Sequence, residues 1–186
     1  MLFNKHFNLA GTHAFLSASN YHWINYDEEK LDRAFIASMA ARRGTELHAF
    51  AHEAIRLGIR LPNTEATLNL YVNDAIGFKM VSEQVLFYSA NCYGTADTIA
   101  FRKGRLRIHD LKTGVTEASV HQLEVYSALF CLEYRHKPTE IQIELRIYQN
   151  DGVRIYDADP DVITHIMDRI VYFDKRIQAI RLEADS

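Results

Sequence analysis

The spacing of apolar residues changes period several times along this chain, and each change marks an element. From Asp27 to Gly58, the apolar residues Leu31, Phe35, Met39, Leu47, Ala51 and Ile55 recur at steps of four and eight. That is one face of a helix, with Gly58 as its stop and Gly44 permitting a close backbone approach within it. Ahead of it, the aromatic-rich stretch from Tyr21 to Tyr26 predicts a short first helix capped by Ser17 or Ser19. Beyond Pro62, Glu65 to Phe78 predicts a third helix, after which the period falls to two. Val81 to Tyr88, Tyr93 to Phe101 and Leu106 to Lys112 read as strands. The short turn Arg102-Lys103-Gly104-Arg105 makes the last two an antiparallel hairpin, with Asp97 and Asp110 on neighbouring strands. Ser119 to Tyr134 returns to a helical pattern through Leu123, Tyr126, Ala128 and Phe130, and Pro138 lies just beyond. Ile141 to Tyr148 and Val153 to Tyr156 form a second strand pair around Asn150-Asp151-Gly152, and Asp159-Pro160 opens a final amphipathic helix through Leu182. The pattern predicts an α/β fold, a central mixed sheet flanked by helices, with residues 1–186 as a single domain.

Composition narrows the class. With 186 residues, 48% hydrophobic and 24% charged, about 70% of the unfolded surface can be buried without disulfide or metal staples. Disorder, a collagen-like fibre and a disulfide scaffold are excluded. Cys92 and Cys131 lie far apart in apolar surroundings, so they read as buried thiols of a reducing compartment. A net charge of -3 with nine neutral histidines excludes a uniformly basic nucleic-acid coat but is compatible with a local basic groove. No apolar run approaches the roughly 20 residues of a membrane span. Met1 to Asn8 lacks the plan of a signal peptide, so the expected location is cytoplasmic and no membrane contact is expected.

The segment Ile108-His109-Asp110-Leu111-Lys112-Thr113-Gly114 is the richest in chemistry. Residues two apart on a strand share a face, so Asp110 and Lys112 emerge together from a core built by Leu106 and Ile108. Asp97 brings a second carboxylate if the hairpin register sets it opposite Asp110. Two carboxylates about 4 Å apart repel by about 4 kcal/mol at an effective dielectric of 20. Protonating one, or placing a divalent cation between them, relieves that repulsion. A cation there suits phosphodiester hydrolysis by metal-activated water, with Lys112 holding the water or steadying phosphoryl charge. Taken in isolation, Asp-x-Lys is a common strand-end salt bridge. His48 and His52, one helical turn apart, have a spacing that can also hold zinc. His109-Asp110 spells the dipeptide of HD-domain phosphohydrolases, but the alternation of Leu106, Ile108 and Asp110 is that of a strand, where those enzymes use helices.

Four motifs occur in order: Arg43-Gly44-Thr45-Glu46-Leu47-His48, Gly94-x-x-Asp97, Asp110-Leu111-Lys112-Thr113-Gly114 and Gln122-x-x-x-Tyr126. From about Ser17 to Tyr148 the chain resembles the RecB-like branch of the PD-(D/E)xK nucleases, which have a restriction-endonuclease-like fold. The resemblance implies that His48, Asp97, Asp110 and the backbone carbonyl of Leu111 coordinate one or two Mg²⁺ or Mn²⁺ ions. It makes Lys112 the catalytic lysine and sets Gln122 and Tyr126 beside it, contacting substrate phosphate or orienting Lys112. It also sets Glu83 where many relatives carry a strand glutamate, as a direct metal ligand or, on the plainer reading, as an acid behind the ligands or at the surface. Standalone members include phage exonucleases and the mitochondrial genome-maintenance exonuclease. The implied activity is therefore exonucleolytic digestion of linear DNA ends, single strands favoured, in replication, recombination or repair. A structure-selective endonuclease for flaps or overhangs and a non-catalytic DNA-binding subunit are the alternatives. No Gly-x-x-x-x-Gly-Lys-Ser/Thr loop occurs, so a helicase motor would be a separate partner, as would a single-strand-binding protein. Relatives acting in CRISPR adaptation hold an iron-sulfur cluster through four cysteines; with two cysteines, no cluster is expected. Basic residues at Arg42-Arg43, Arg56 with Arg60, Arg102 to Arg107, and Lys175-Arg176 with Arg181 are candidates to guide a phosphate backbone. Tyr21, Trp23 and Tyr26 are candidates to stack on bases. The oligomeric state is not set by the sequence.

Overall fold

In a computed structural model that describes Phe7 and residues 12–184, the segments of period two pair into one five-stranded sheet. The strands are β1 (Val81–Ser89), β2 (Cys92–Arg102), β3 (Arg105–Leu111), β4 (Gln142–Gln149) and β5 (Gly152–Asp157), adjacent in that order. β3 and β4 run parallel and the other neighbours antiparallel. The sheet is therefore mixed, and the parallel pair requires a crossover, which α3 (His121–Tyr134) supplies. The hairpin turn has Lys103 at φ 50° and Gly104 at φ 72°, the left-handed pair that matches the twist of a two-residue connection.

Three further helices are α1 (Glu28–Leu57), α2 (Thr67–Gly77) and α4 (Pro160–Ala184). One sheet face packs Leu86, Leu106, Ile108 and Leu145 against Leu123 and Leu129 of α3 and Ile163 of α4. On the opposite face Leu111 and Tyr148 join Ala51, Ala54 and Ile55 of α1 and Tyr71, Val72 and Ala75 of α2. The central strand β3 is thus covered on both sides, as parallel pairing requires. Among the described residues no helix is long and apolar enough to cross a membrane.

The chain divides into two compact units, residues up to Thr45 and residues from Glu46 onward. In the first unit, Tyr21–Asn25 forms a short 3-10 turn, and no side chain caps it. The two expected caps, Ser17 and Ser19, bond each other at 2.8 Å, and Ser17 Oγ accepts the N–H of Asn20, just ahead of the turn, at 3.3 Å. Trp23 donates its indole N–H to Ser17 O at 2.9 Å, and the Lys30 ammonium lies 4.6 Å from the Tyr26 ring centroid. Asp27 Oδ1 accepts the Lys30 N–H at 2.7 Å, capping α1. Of the apolar stripe along α1, Ala51 and Ile55 are buried, whereas Phe35 and Met39 are exposed. The even spacing overstated the buried face. The helix ends at Gly58, φ 67°, where Ile59 N–H reaches Ala54 O at 2.9 Å. That is a Schellman stop, which favours glycine because it needs a left-handed residue.

The start of α2 is fastened by a residue 84 positions away. Asp151, in the β4–β5 turn, accepts both the backbone N–H and the hydroxyl of Thr67 through Oδ1, at 3.0 and 3.1 Å. Thr67 Oγ1 in return accepts the Asp151 N–H at 2.7 Å. Asp151→Ala should lower stability by about 1 kcal/mol, the usual worth of a helix cap. Urea unfolding would show it as a lower midpoint at unchanged slope; an unchanged midpoint would mean that the turn contributes nothing to holding α2.

Candidate active site

β2 and β3 pair regularly from Arg102 and Arg105 to Thr98 and His109, and then stop. The next pair would be Asp97 and Asp110. In place of a ladder bond, Asp97 Oδ2 accepts the Leu111 N–H at 3.0 Å. A carboxylate has substituted for a carbonyl, and the two strands part at the position where the sequence carries its acids.

Asp97 stands on the α1 side of the opening. Its Oδ2 is 3.5 Å from His48 Nδ1, and Glu83 of β1 completes a group whose ligand atoms all lie within 4.8 Å of one another. Glu83 falls directly across from Asp97 in the β1–β2 register, between the pairs Ser82–Thr98 and Gln84–Ala96. Its backbone is left-handed, φ 54°, which disfavours a residue with a Cβ by about 1 to 2 kcal/mol. Such strain persists only where the surroundings impose it and is common at functional sites.

Asp110, 3% exposed, stands on the α3 side. Lys112 Nζ donates to its Oδ1 at 3.1 Å and lies 2.9 Å from its Oδ2, so the ammonium straddles the carboxylate. The same ammonium donates to Gln122 Oε1 at 2.9 Å, and Gln122 Nε2 donates to Tyr126 Oη at 3.0 Å. The Tyr126 ring in turn lies against Gly94 of β2, so closely that a Cβ there would stand 2.9 Å from Tyr126 Cε1. Gly94, Tyr126, Gln122, Lys112 and Asp110 form one chain of contacts from the sheet to helix α3 and back.

The loop joining Lys112 to α3 is held from beneath by Gln149. Its Nε2 donates to the carbonyls of Gly114 and Thr116 at 2.6 and 2.7 Å, and its Oε1 accepts the Ala118 N–H at 3.1 Å. A buried amide with every bond satisfied fixes geometry well.

Burial pushes the Asp97 carboxyl above its ordinary pKa; the Leu111 N–H, His48 and Lys112 pull it back and Glu83 pushes it further up. Asp110 is raised by burial and by the charge of Asp97, against the opposing pull of Lys112. Three carboxylates and one lysine leave this locus short of positive charge. The donors are hard oxygens with one imidazole, a set that suits Mg²⁺ or Mn²⁺. Asp110 Oδ2 is a further buried oxygen, in contact with the Lys112 ammonium at 2.9 Å. The residues present fit a divalent cation.

The structure thus brings together His48 and Asp97, and separately Asp110, Lys112, Gln122 and Tyr126. Asp110 is not in the group of mutual 4.8 Å reach. Leu111 contributes its N–H to Asp97. Glu83, read from sequence as a ligand, an acid behind the ligands or a surface acid, is the exposed member of the group. His52 is engaged with Ser82 Oγ at 2.9 Å and stands outside it. Arg43 is an exposed residue of α1 in the first unit. His109 is fully buried on the face opposite Asp110, with its ring 5.6 Å from that of Phe78 and 5.4 Å from that of Tyr148. Adjacent in sequence, His109 and Asp110 do not share a site. Gly94 stands in the Gly-x-x-Asp motif of the sequence, but its place against the Tyr126 ring is set by packing; no local signal in the sequence marks Gln149.

No protein-family model, no curated protein and no solved structure matches this chain.

Two outcomes follow from this geometry. A carboxyl whose folded pKa exceeds its unfolded value opposes folding above the carboxylate range, and that opposition vanishes as pH falls through the unfolded pKa. Asp97→Asn keeps an acceptor for the Leu111 N–H and removes the charge, so in EDTA the variant should be more stable than wild type near pH 7. The advantage should disappear at about pH 4 and below, read as urea midpoints across pH; a variant weaker at neutral pH would mean that the His48 and Lys112 attractions outweigh burial. Gly94→Ala must displace the Tyr126 ring, lowering stability by about 1 to 3 kcal/mol. Thermal melts should then show Gly94→Ala combined with Tyr126→Leu to be less impaired than the sum of the single changes, and strict additivity would refute the contact.

Proposed function

We propose that this chain is a metal-dependent deoxyribonuclease of the PD-(D/E)xK type that hydrolyses phosphodiester bonds, acting as an exonuclease on DNA ends. The observation that carries the reading is the Asp110–Lys112 ion pair, with Lys112 Nζ held by Gln122, beside the group of His48, Glu83 and Asp97. A salt bridge serving stability alone does not need a second side chain to aim its lysine, nor two further acids at the same strand ends.

In this reading His48, Glu83 and Asp97 hold the ion, with Asp110 Oδ2 as a further donor. A bound Mg²⁺ or Mn²⁺ supplies positive charge to a phosphoryl oxygen and acidifies water. Lys112 presents its ammonium to the charge that grows on the phosphoryl oxygens, a role that needs a fixed donor rather than a mobile one. Gln122 fixes that ammonium through Oε1, and Tyr126 fixes Gln122. Asp110 balances Lys112 between turnovers, so that neither charge is buried alone.

Linear single- and double-stranded DNA, end-labelled and incubated with Mg²⁺, Mn²⁺ or EDTA, tests the proposal. Cleavage should require metal and fall by about 10²-fold or more in Asp110→Ala and Lys112→Ala. Circular single-stranded DNA should survive; its degradation would replace the exonuclease with an endonuclease. Tight DNA binding without cleavage in either metal would overturn catalysis in favour of a binding subunit.

A further inference from the structure

Leu86 packs in the core beneath α3, and Gly94 lies against Tyr126 of that helix. Strand alternation therefore puts Val85, Phe87, Tyr93 and Thr95 on the other face, the one that carries Glu83 and Asp97. These residues form three successive cross-strand positions: Glu83 across from Asp97, Val85 with Thr95, and Phe87 with Tyr93. The last pair is aromatic, with ring centroids 6.4 Å apart and planes within 28° of parallel. Phe87 is 49% exposed and Tyr93 64% exposed. Two large rings side by side on open sheet are costly to leave in water and mark a contact surface.

β1 is an edge strand, but strand addition does not explain this patch. The Phe87 N–H donates to Glu133 Oε2 at 2.8 Å, and the Val85 carbonyl accepts from Gln84 Nε2 at 2.8 Å. Side chains already occupy backbone groups that an added strand would need, which is how natural edges are blunted. What remains open is the ring surface itself.

We propose that Phe87 and Tyr93 form a stacking platform for unpaired nucleobases of the strand that is cut at the carboxylate site. The inference rests on the nuclease reading and names where its substrate lies. Four residues of strand separate the ring pair from Glu83 and Asp97, about 14 Å at 3.4 Å per residue. A stacked strand covers that distance in about four nucleotides at 3.4 Å per base step, and an extended one in fewer. Rings accept any base because every base has a π-face, so the platform holds single strands without choosing sequence. The expected stackers Tyr21, Trp23 and Tyr26 lie in the first unit, whereas Phe87 and Tyr93 share two strands with the acids.

Fluorescence anisotropy in EDTA, where no cleavage occurs, tests this with a short oligothymidylate and an abasic strand of equal length. Wild type should bind the oligothymidylate about tenfold or more tighter. Phe87→Ala and Tyr93→Ala should close that gap while leaving the abasic strand unaffected, and Tyr93→Phe should retain it. Equal binding of the two strands by wild type, or a gap that persists in both alanine variants, overturns the platform. So does a wild type that self-associates through this patch, seen as a dimer that Tyr93→Ala turns into a monomer. The nuclease reading falls separately: base-dependent binding without metal-dependent cleavage sinks that reading and leaves the platform standing.

Discussion

Asp97 and Asp110 are the first positions at which the β2–β3 ladder fails to pair, and both acids are largely removed from water. Like charges in a poorly solvated place repel and are expensive to ionise, so the surrounding structure is shaped by the need to separate and answer them. The strands part, Asp97 turns to the Leu111 N–H and His48, and Asp110 turns to Lys112. One split in a hairpin thus gives two acids different partners while each still feels the other's surroundings.

Each face then builds a different kind of support. On the α3 side the support is a relay of contacts: Gly94 admits the Tyr126 ring, Tyr126 holds Gln122, and Gln122 holds Lys112. On the α2 side it is a polar lattice. Arg107 and Arg146 lie over Phe78 at 4.5 and 4.7 Å, and Asp74 accepts from both Arg146 and the Tyr148 hydroxyl. His109 sits within that lattice, its pKa lowered to about 3 by burial and by the two arginines. It is therefore neutral and serves as packing beneath the acid next to it. Rigid support of this kind is what a site needs to hold charged groups within tenths of an ångström.

The β1–β2 hairpin shows how small a backbone event decides chemistry. Its turn pairs Ser89 with Cys92, and that register alone would carry Glu83 across from Thr98. An irregularity between Phe87 and Ser89 shifts the pairing by one, and Glu83 meets Asp97 instead. A one-residue slip in a strand exchanges faces. The same shift aligns the Phe87–Tyr93 rings with the acids along one stripe.

Period and turn chemistry sufficed to determine from sequence the order of helices and strands, the mixed sheet, the Lys103-Gly104 hairpin and hence the place of Asp97 and Asp110 on neighbouring strands, because these depend on local geometry. The shared face of Asp110 and Lys112, and of Gln122 and Tyr126, followed from the same two periods. Tertiary structure alone decided which acids share a locus. The bulge that recruits Glu83, the left-handed backbone that holds it, the opening that parts Asp97 from Asp110 and the reach of Gln149 under the loop all arise from contacts between distant segments. Local residue preferences carry no trace of them, since each is imposed by packing and by the repulsion of charges that meet only once the chain has folded.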